Sequence, residues 1–134
     1  MAVFKSKHPG WLGKTSRPVA DFHNYYYFEV LADFLRGPAG TFDIDQDDGG
    51  DIVPEHLALL RENLLAAQRR FSALPAAWEH VFDTFSLDPR TKEHQPIQIR
   101  RPIDNGILLP LIESLLSASE QAERDGEFLI FIGD

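Results

Sequence analysis

A chain of 134 residues with 43% hydrophobic and 25% charged side chains has the balance of a single globular domain, long enough to bury a core without staples, and this excludes a disordered tract. It contains no cysteine, which excludes disulfides, thiolate metal sites and a cysteine nucleophile, and its net charge of −8 speaks against nucleic acid, whose binding rests on phosphate neutralisation. No apolar run reaches the roughly 18 residues of a membrane span and no apolar stretch near the start suits a secretion signal, so the expected compartment is the cytoplasm.

The charge is unevenly spread. Residues 1–36 carry five basic and three acidic side chains, residues 37–95 five and eleven, and residues 96–134 three and seven. The basic start is either a solvated arm or a segment docked on the body; if docked, Trp11 and Leu12, between Gly10 and Gly13, are its anchors.

Along the chain, Asp21 is an N-cap candidate for a helix from Phe22 to Arg36. Tyr27, Phe28, Leu31, Phe34 and Leu35 fall on its apolar stripe, with Tyr26 on the solvent side. Gly37-Pro38 stops it, and residues 41–44 read as a short strand. Asp51 and Pro54 open a second helix whose buried stripe is Leu57, Leu60, Leu64, Ala67 and Phe71. Pro75 is expected to begin a shorter helical piece holding Trp78, Val81, Phe82 and Phe85, followed by a polar connector over residues 86–95.

The last third reads as a strand–helix–strand unit. Residues 96–101 alternate, with Ile97 and Ile99 inward, and Asp104-Asn105-Gly106 is a turn signature. Pro110 is tolerated only near a helix start, which places that start near Leu108. Leu111, Ile112, Leu115, Ala118 and Ala122 form the apolar face, and Asp125-Gly126 ends the helix. Residues 127–132 then form a continuous apolar strand, central and covered on both faces. The expected class is α+β over residues 1–134 as one domain, a small sheet packed with three to four helices.

The most unusual feature is the run of Asp43, Asp45, Asp47, Asp48 and Asp51, five carboxylates within nine residues. Like charges this close repel unless a cation, a basic partner or water offsets them. The spacing of Asp43, Asp45 and Asp47 resembles the opening of a calcium loop. That loop needs glycine sixth and a bidentate glutamate twelfth, and here Asp48 and Pro54 hold those places. Three readings follow: a divalent-cation module, a protein-binding loop, and a solvated turn.

No catalytic constellation stands elsewhere. The five histidines have no metal-ligand spacing; His80 and Asp83 are i,i+3 neighbours amid apolar residues; Ser114, Ser117 and Ser119 lack a nucleophile-elbow context. The glycine pairs Gly37/Gly40 and Gly49/Gly50 have no phosphate-cradle pattern around them, and Arg100 and Arg101 read as partners for nearby acids. Tyr26, exposed on its helix, is a rigid anchor for a partner or packs beneath the N-terminal arm. The expectation is a non-enzyme without cofactor or metal.

Residues 49–134 resemble the small cytosolic immunity proteins of bacterial polymorphic-toxin systems. The shared pattern is the leucine-rich helix Pro54-Glu-His-Leu-Ala-Leu-Leu-Arg-Glu-Asn-Leu, then Leu74-Pro75 and Trp78, then a late helix ending Ala122-Glu-Arg-Asp-Gly before Phe128-Leu-Ile-Phe-Ile. The last segment is also similar in pattern to the end of barstar-type ribonuclease inhibitors, from which the central part departs in length. The resemblance implies a binding protein that neutralises a cognate toxin domain. A basic toxin domain suits Asp43, Asp45, Asp47, Asp48, Asp51 and Tyr26 as the partner-facing residues, since a compact acidic cluster steers association. The alternatives are the divalent-metal module and an accessory protein with a solvated acidic loop.

Overall fold

In the computed structural model, which describes residues 1–9 and 17–133, the first and last strands lie side by side. Strand β1 (Ala2–Ser6) pairs antiparallel with β6 (Phe128–Ile132), Val3 opposite Phe131. β2 (Ala20–Asp21) flanks β1, and β3 (Gly50–Ile52) flanks β6 with Ile52 opposite Leu129, giving the order β2-β1-β6-β3. Val3, Ile52, Leu129 and Phe131 belong to one apolar core, while Ile130, on the other side of the pleat, is also buried. The apolar run thus takes the interior, doubly covered place expected of it. The basic start docks as β1; Trp11 and Leu12, its expected anchors, lie outside the described residues.

Helix α1 (Tyr25–Leu31) is shorter than its apolar stripe suggests. Asp21 is spent in β2, and Asn24 caps instead, its Oδ1 accepting the Tyr26 N–H at 2.9 Å. A 3-10 turn (Ala32–Leu35) follows, and the chain is extended again at Arg36. Helix α2 (Leu57–Ser72) buries the predicted Leu57, Leu60, Leu64, Ala67 and Phe71. Its entry is a 3-10 turn at Pro54–His56, not Asp51, which lies in β3. Residues 41–44 form no strand; Asp43 makes only an isolated bridge to Arg36.

Helix α3 (Asn105–Asp125) packs its apolar face between α2 and the sheet. It begins three residues before the expected Leu108, because Asp104 acts as the cap: its Oδ1 accepts the Gly106 N–H at 2.7 Å. Pro110 therefore sits inside the helix, where it has no N–H to return to the preceding turn. Gly126, at φ 66°, closes the helix as predicted. Arg61 of α2 pairs with Glu123 of α3 across the helix contact.

The largest departure lies between α2 and α3. Residues 77–87 are strand, not helix: β4 (Ala77–Leu87) pairs antiparallel with β5 (His94–Asp104) along all of both strands. Trp78, His80, Phe82 and Thr84 turn toward the body, while Glu79, Val81, Asp83 and Phe85 face solvent. The ribbon is a sheet of its own, so β5 and β6 belong to different sheets and no parallel crossover joins them. Ile97, expected inward, is exposed because it lies on the outer half of the ribbon. Among the described residues the class is α+β, with three α-helices and two antiparallel sheets. No described helix is long and apolar enough to cross a membrane.

Candidate functional site

The acidic loop is an ordered turn. Phe42 and Ile44 are buried, so the intervening Asp43 and Asp45 project outward. Asp45 and Gly49 exchange backbone hydrogen bonds at 3.1 and 2.7 Å. The Asp45 Oδ1 accepts the N–H groups of Asp47 and Asp48 at 2.8 and 2.9 Å, forming an Asx turn. These backbone donors, Asp48 first, hold the Asp45 carboxyl below its ordinary range.

Two glycines press this turn against the end of β6. Gly49 has φ 72°, and a Cβ there would run into the Phe131 carbonyl oxygen; a Cβ on Gly133 would meet the Asp47 carbonyl. The loop's exit is thus fixed by β3 pairing with β6 rather than by the start of α2.

Among the described residues the five carboxylates are largely unpaired by cations. Arg36 Nε meets Asp43 Oδ1 at 3.2 Å, with both side chains more than half exposed, so the pair contributes little. Among the described residues no other cation is within ion-pair distance of Asp45, Asp47, Asp48 or Asp51. Nor does any described group of three or more His, Asp or Glu side chains converge as a metal site.

The negative surface continues onto α1. Tyr25, 46% exposed, stands beside the loop, and its phenol is pushed up to about 12. The first cause is its hydrogen bond to Glu29, followed by partial burial and the charges of Glu29 and Asp47. Tyr26, expected to be the exposed tyrosine, is instead half-buried. Its ring packs 5.6 Å from Phe82 of β4, not under the N-terminal arm, and the Arg101 guanidinium lies 5.3 Å above it. Tyr25 is therefore the more exposed of the two, and sequence periodicity missed it because the cover over Tyr26, Phe82 and Arg101, comes from the distant ribbon.

A cleft of about 430 Å³ separates α1 from the ribbon, with Tyr25, Tyr26, Glu29, Asp33, His80 and Arg101 in its walls. His80 lies between Trp78 and Phe82, its nearer ring neighbour at 4.5 Å. Burial, then Arg70, lowers its proton affinity, with Glu29 opposing. Asp83 is on the opposite face of β4, so the two do not act as an acid–base pair. A second groove, about 500 Å³, follows residues 36–43, and its charged lining is only the Arg36–Asp43 pair.

The ribbon's root is firmly held. Trp78 stacks on Phe71 at 5.4 Å, Ile103 is buried, and the Asp104 N–H donates to the Tyr27 hydroxyl at 3.0 Å. Its outer half leaves Phe85 68% and Leu87 54% exposed. Arg100, as expected, faces an acid, with its Nη1 3.7 Å from Glu79. No family model, curated protein or solved structure matches the chain.

Proposed function

We propose that this chain is a non-enzymatic binding protein that engages a basic protein partner, in the manner of the cytosolic immunity proteins its sequence pattern resembles. The partner on that reading is a cognate toxin domain. The observation that carries the proposal is the state of the loop: Asp45, Asp47 and Asp48 are displayed on a hydrogen-bonded turn flanked by Asp43 and Asp51, and among the described residues only Asp43 meets a cation. A loop already held in one shape loses little entropy on binding, and its charge accelerates encounter with a basic surface. Tyr25, at the margin of the same surface, supplies the desolvated aromatic contact that charge alone does not.

The test is the association rate with a toxin domain identified from the neighbouring gene, measured against ionic strength. Asp43, Asp45, Asp47 and Asp48 changed together to Asn should slow association at low salt. The difference should shrink as the Debye length falls to about 3 Å at 1 M salt. Identical, salt-independent curves for the two proteins would sink the proposal.

A further inference from the structure

The ribbon has two outer edges, and they are not alike. The phase of its ladder is set at the two ends. The Asn105 N–H donates to the Ala76 carbonyl at 2.8 Å, and the Asp88 N–H donates to the Glu93 carbonyl at 2.9 Å. Both pairs continue the unbroken register in which Ala77 lies opposite Asp104 and Leu87 opposite His94. Bonded and non-bonded pairs alternate in an antiparallel ladder, so the even-numbered residues of β4 bond to β5. The odd-numbered Glu79, Val81, Asp83 and Phe85 point their N–H and C=O groups off the outer edge.

The same phase puts Pro96, Gln98, Arg100, Pro102 and Asp104 on the outer edge of β5. The two prolines have no N–H, the Asp104 N–H is taken by the Tyr27 hydroxyl at 3.0 Å, and the Arg100 carbonyl accepts from Arg101 Nη1 at 3.2 Å. That edge is closed by the devices that keep sheet edges from pairing. Strand β4 has neither proline nor lysine and no bulge, and among the described residues no hydrogen bond reaches the outward backbone groups of Glu79, Val81, Asp83 or Phe85.

A bare edge of this kind is complementary to the main chain of another extended segment. We propose, building on the binding role proposed above, that the outer edge of β4 takes up a strand of the basic protein partner. The charges select a basic strand over a second β4. Strand β4 carries Glu79 and Asp83 without lysine or arginine, and two whole copies of net charge −8 repel. The cleft that touches residues 80–84 adds Glu29 and Asp33 on its α1 wall. Arg100 is engaged by Glu79, Arg101 lies over the Tyr26 ring and Arg70 acts on His80, so the acids around this edge outnumber the bases and Asp83 meets no cation.

Amide hydrogen exchange in the free protein should alternate along β4, fast at Glu79, Val81, Asp83 and Phe85 and slow at His80, Phe82 and Thr84. Saturation with a toxin domain identified from the neighbouring gene should slow the four fast amides at least about tenfold. Val81→Pro removes one outward donor, as Pro96 and Pro102 do on β5, and spares the bonds between the strands. It should weaken toxin binding at least about tenfold, while Val81→Thr, which keeps the N–H, should bind within about twofold of the wild type. The exchange measurement needs no variant, so it decides alone if Val81→Pro does not fold. Fast amides that stay fast in the complex, or full binding by a folded Val81→Pro, would overturn the proposal. If the change of Asp43, Asp45, Asp47 and Asp48 to Asn still slows association in that case, the acidic loop remains the binding surface; a toxin domain that does not bind at all removes both readings. Protection of the same amides on concentrating the free protein would assign the edge to a second copy and overturn the proposal as well.

Discussion

The Trp78 indole N–H donates to the Asn105 side-chain oxygen at 2.9 Å, and this bond ties the root of the ribbon to the start of α3. Asn105 also donates through Nδ2 to the carbonyls of Phe71 and Pro75 at 2.9 and 3.2 Å, while its backbone N–H reaches Ala76. One buried amide thereby joins the end of α2, the entry to β4 and the beginning of α3.

Asn105→Ala should destabilise the protein by about 1–3 kcal/mol, because it leaves the Trp78 N–H and the Phe71 and Pro75 carbonyls without this partner. Denaturant unfolding measures the loss. The Trp78 emission should shift to shorter wavelength in the folded variant as the indole N–H loses its acceptor. A variant as stable as the wild type would show that these bonds are dispensable.

Tyr25 provides a pH test of the acidic surface. Its phenol, raised from 10.0 to about 12, is stabilised in the neutral form on folding. The associated stability is fully present below pH 10 and is lost as the pH rises through about 12. Ring-carbon chemical shifts of labelled tyrosine should place this titration near 12. Glu29→Gln should move it down, and Asp47→Asn should move it down by less, in keeping with the order of their influence. An ordinary value in the wild type would mean that Tyr25 does not sense Glu29 and Asp47.

Gly49 and Gly40 form a controlled pair. Both have positive φ, 72° and 83°, so alanine at either meets the same backbone penalty of about 1–2 kcal/mol. Only at Gly49 does the new Cβ also strike the Phe131 carbonyl. Gly49→Ala should therefore cost clearly more than Gly40→Ala in thermal unfolding. Equal losses would mean that the loop is not seated on β6.

Ile130→Ala should cost about 2–5 kcal/mol, the usual range for emptying a buried aliphatic site. A melting temperature within error of the wild type would place this face of the sheet in solvent.

What the sequence conveyed was periodicity sustained over several turns. The stripes Leu57 to Phe71 and Leu111 to Ala122 are buried as their spacing requires, and the apolar run at 128–132 became an interior strand. The ribbon was hidden because Trp78, Val81, Phe82 and Phe85 sit at i, i+3, i+4 and i+7, which fits a helical stripe, directly after a proline. The choice of strand comes from partners far along the chain, Ile103 opposite Trp78 and Ile99 opposite Phe82. The acidic loop was legible as charge, but its shape depends on Gly49 and Gly133 meeting across the end of β6, a contact that no local pattern encodes.

The pairing of β1 with β6 has a kinetic consequence. Ala2 lies opposite Ile132, so almost the whole chain must close as a loop before that pair can form. During synthesis α1, α2 and the ribbon can assemble early, but until β6 emerges β3 has no mate in the sheet and β1 only the two-residue β2. The hydrogen bonds within the acidic turn are local, but its seat against Phe131 and Gly133 needs that same strand in place. A nascent chain therefore carries the charge of the acidic loop well before the loop has its seat.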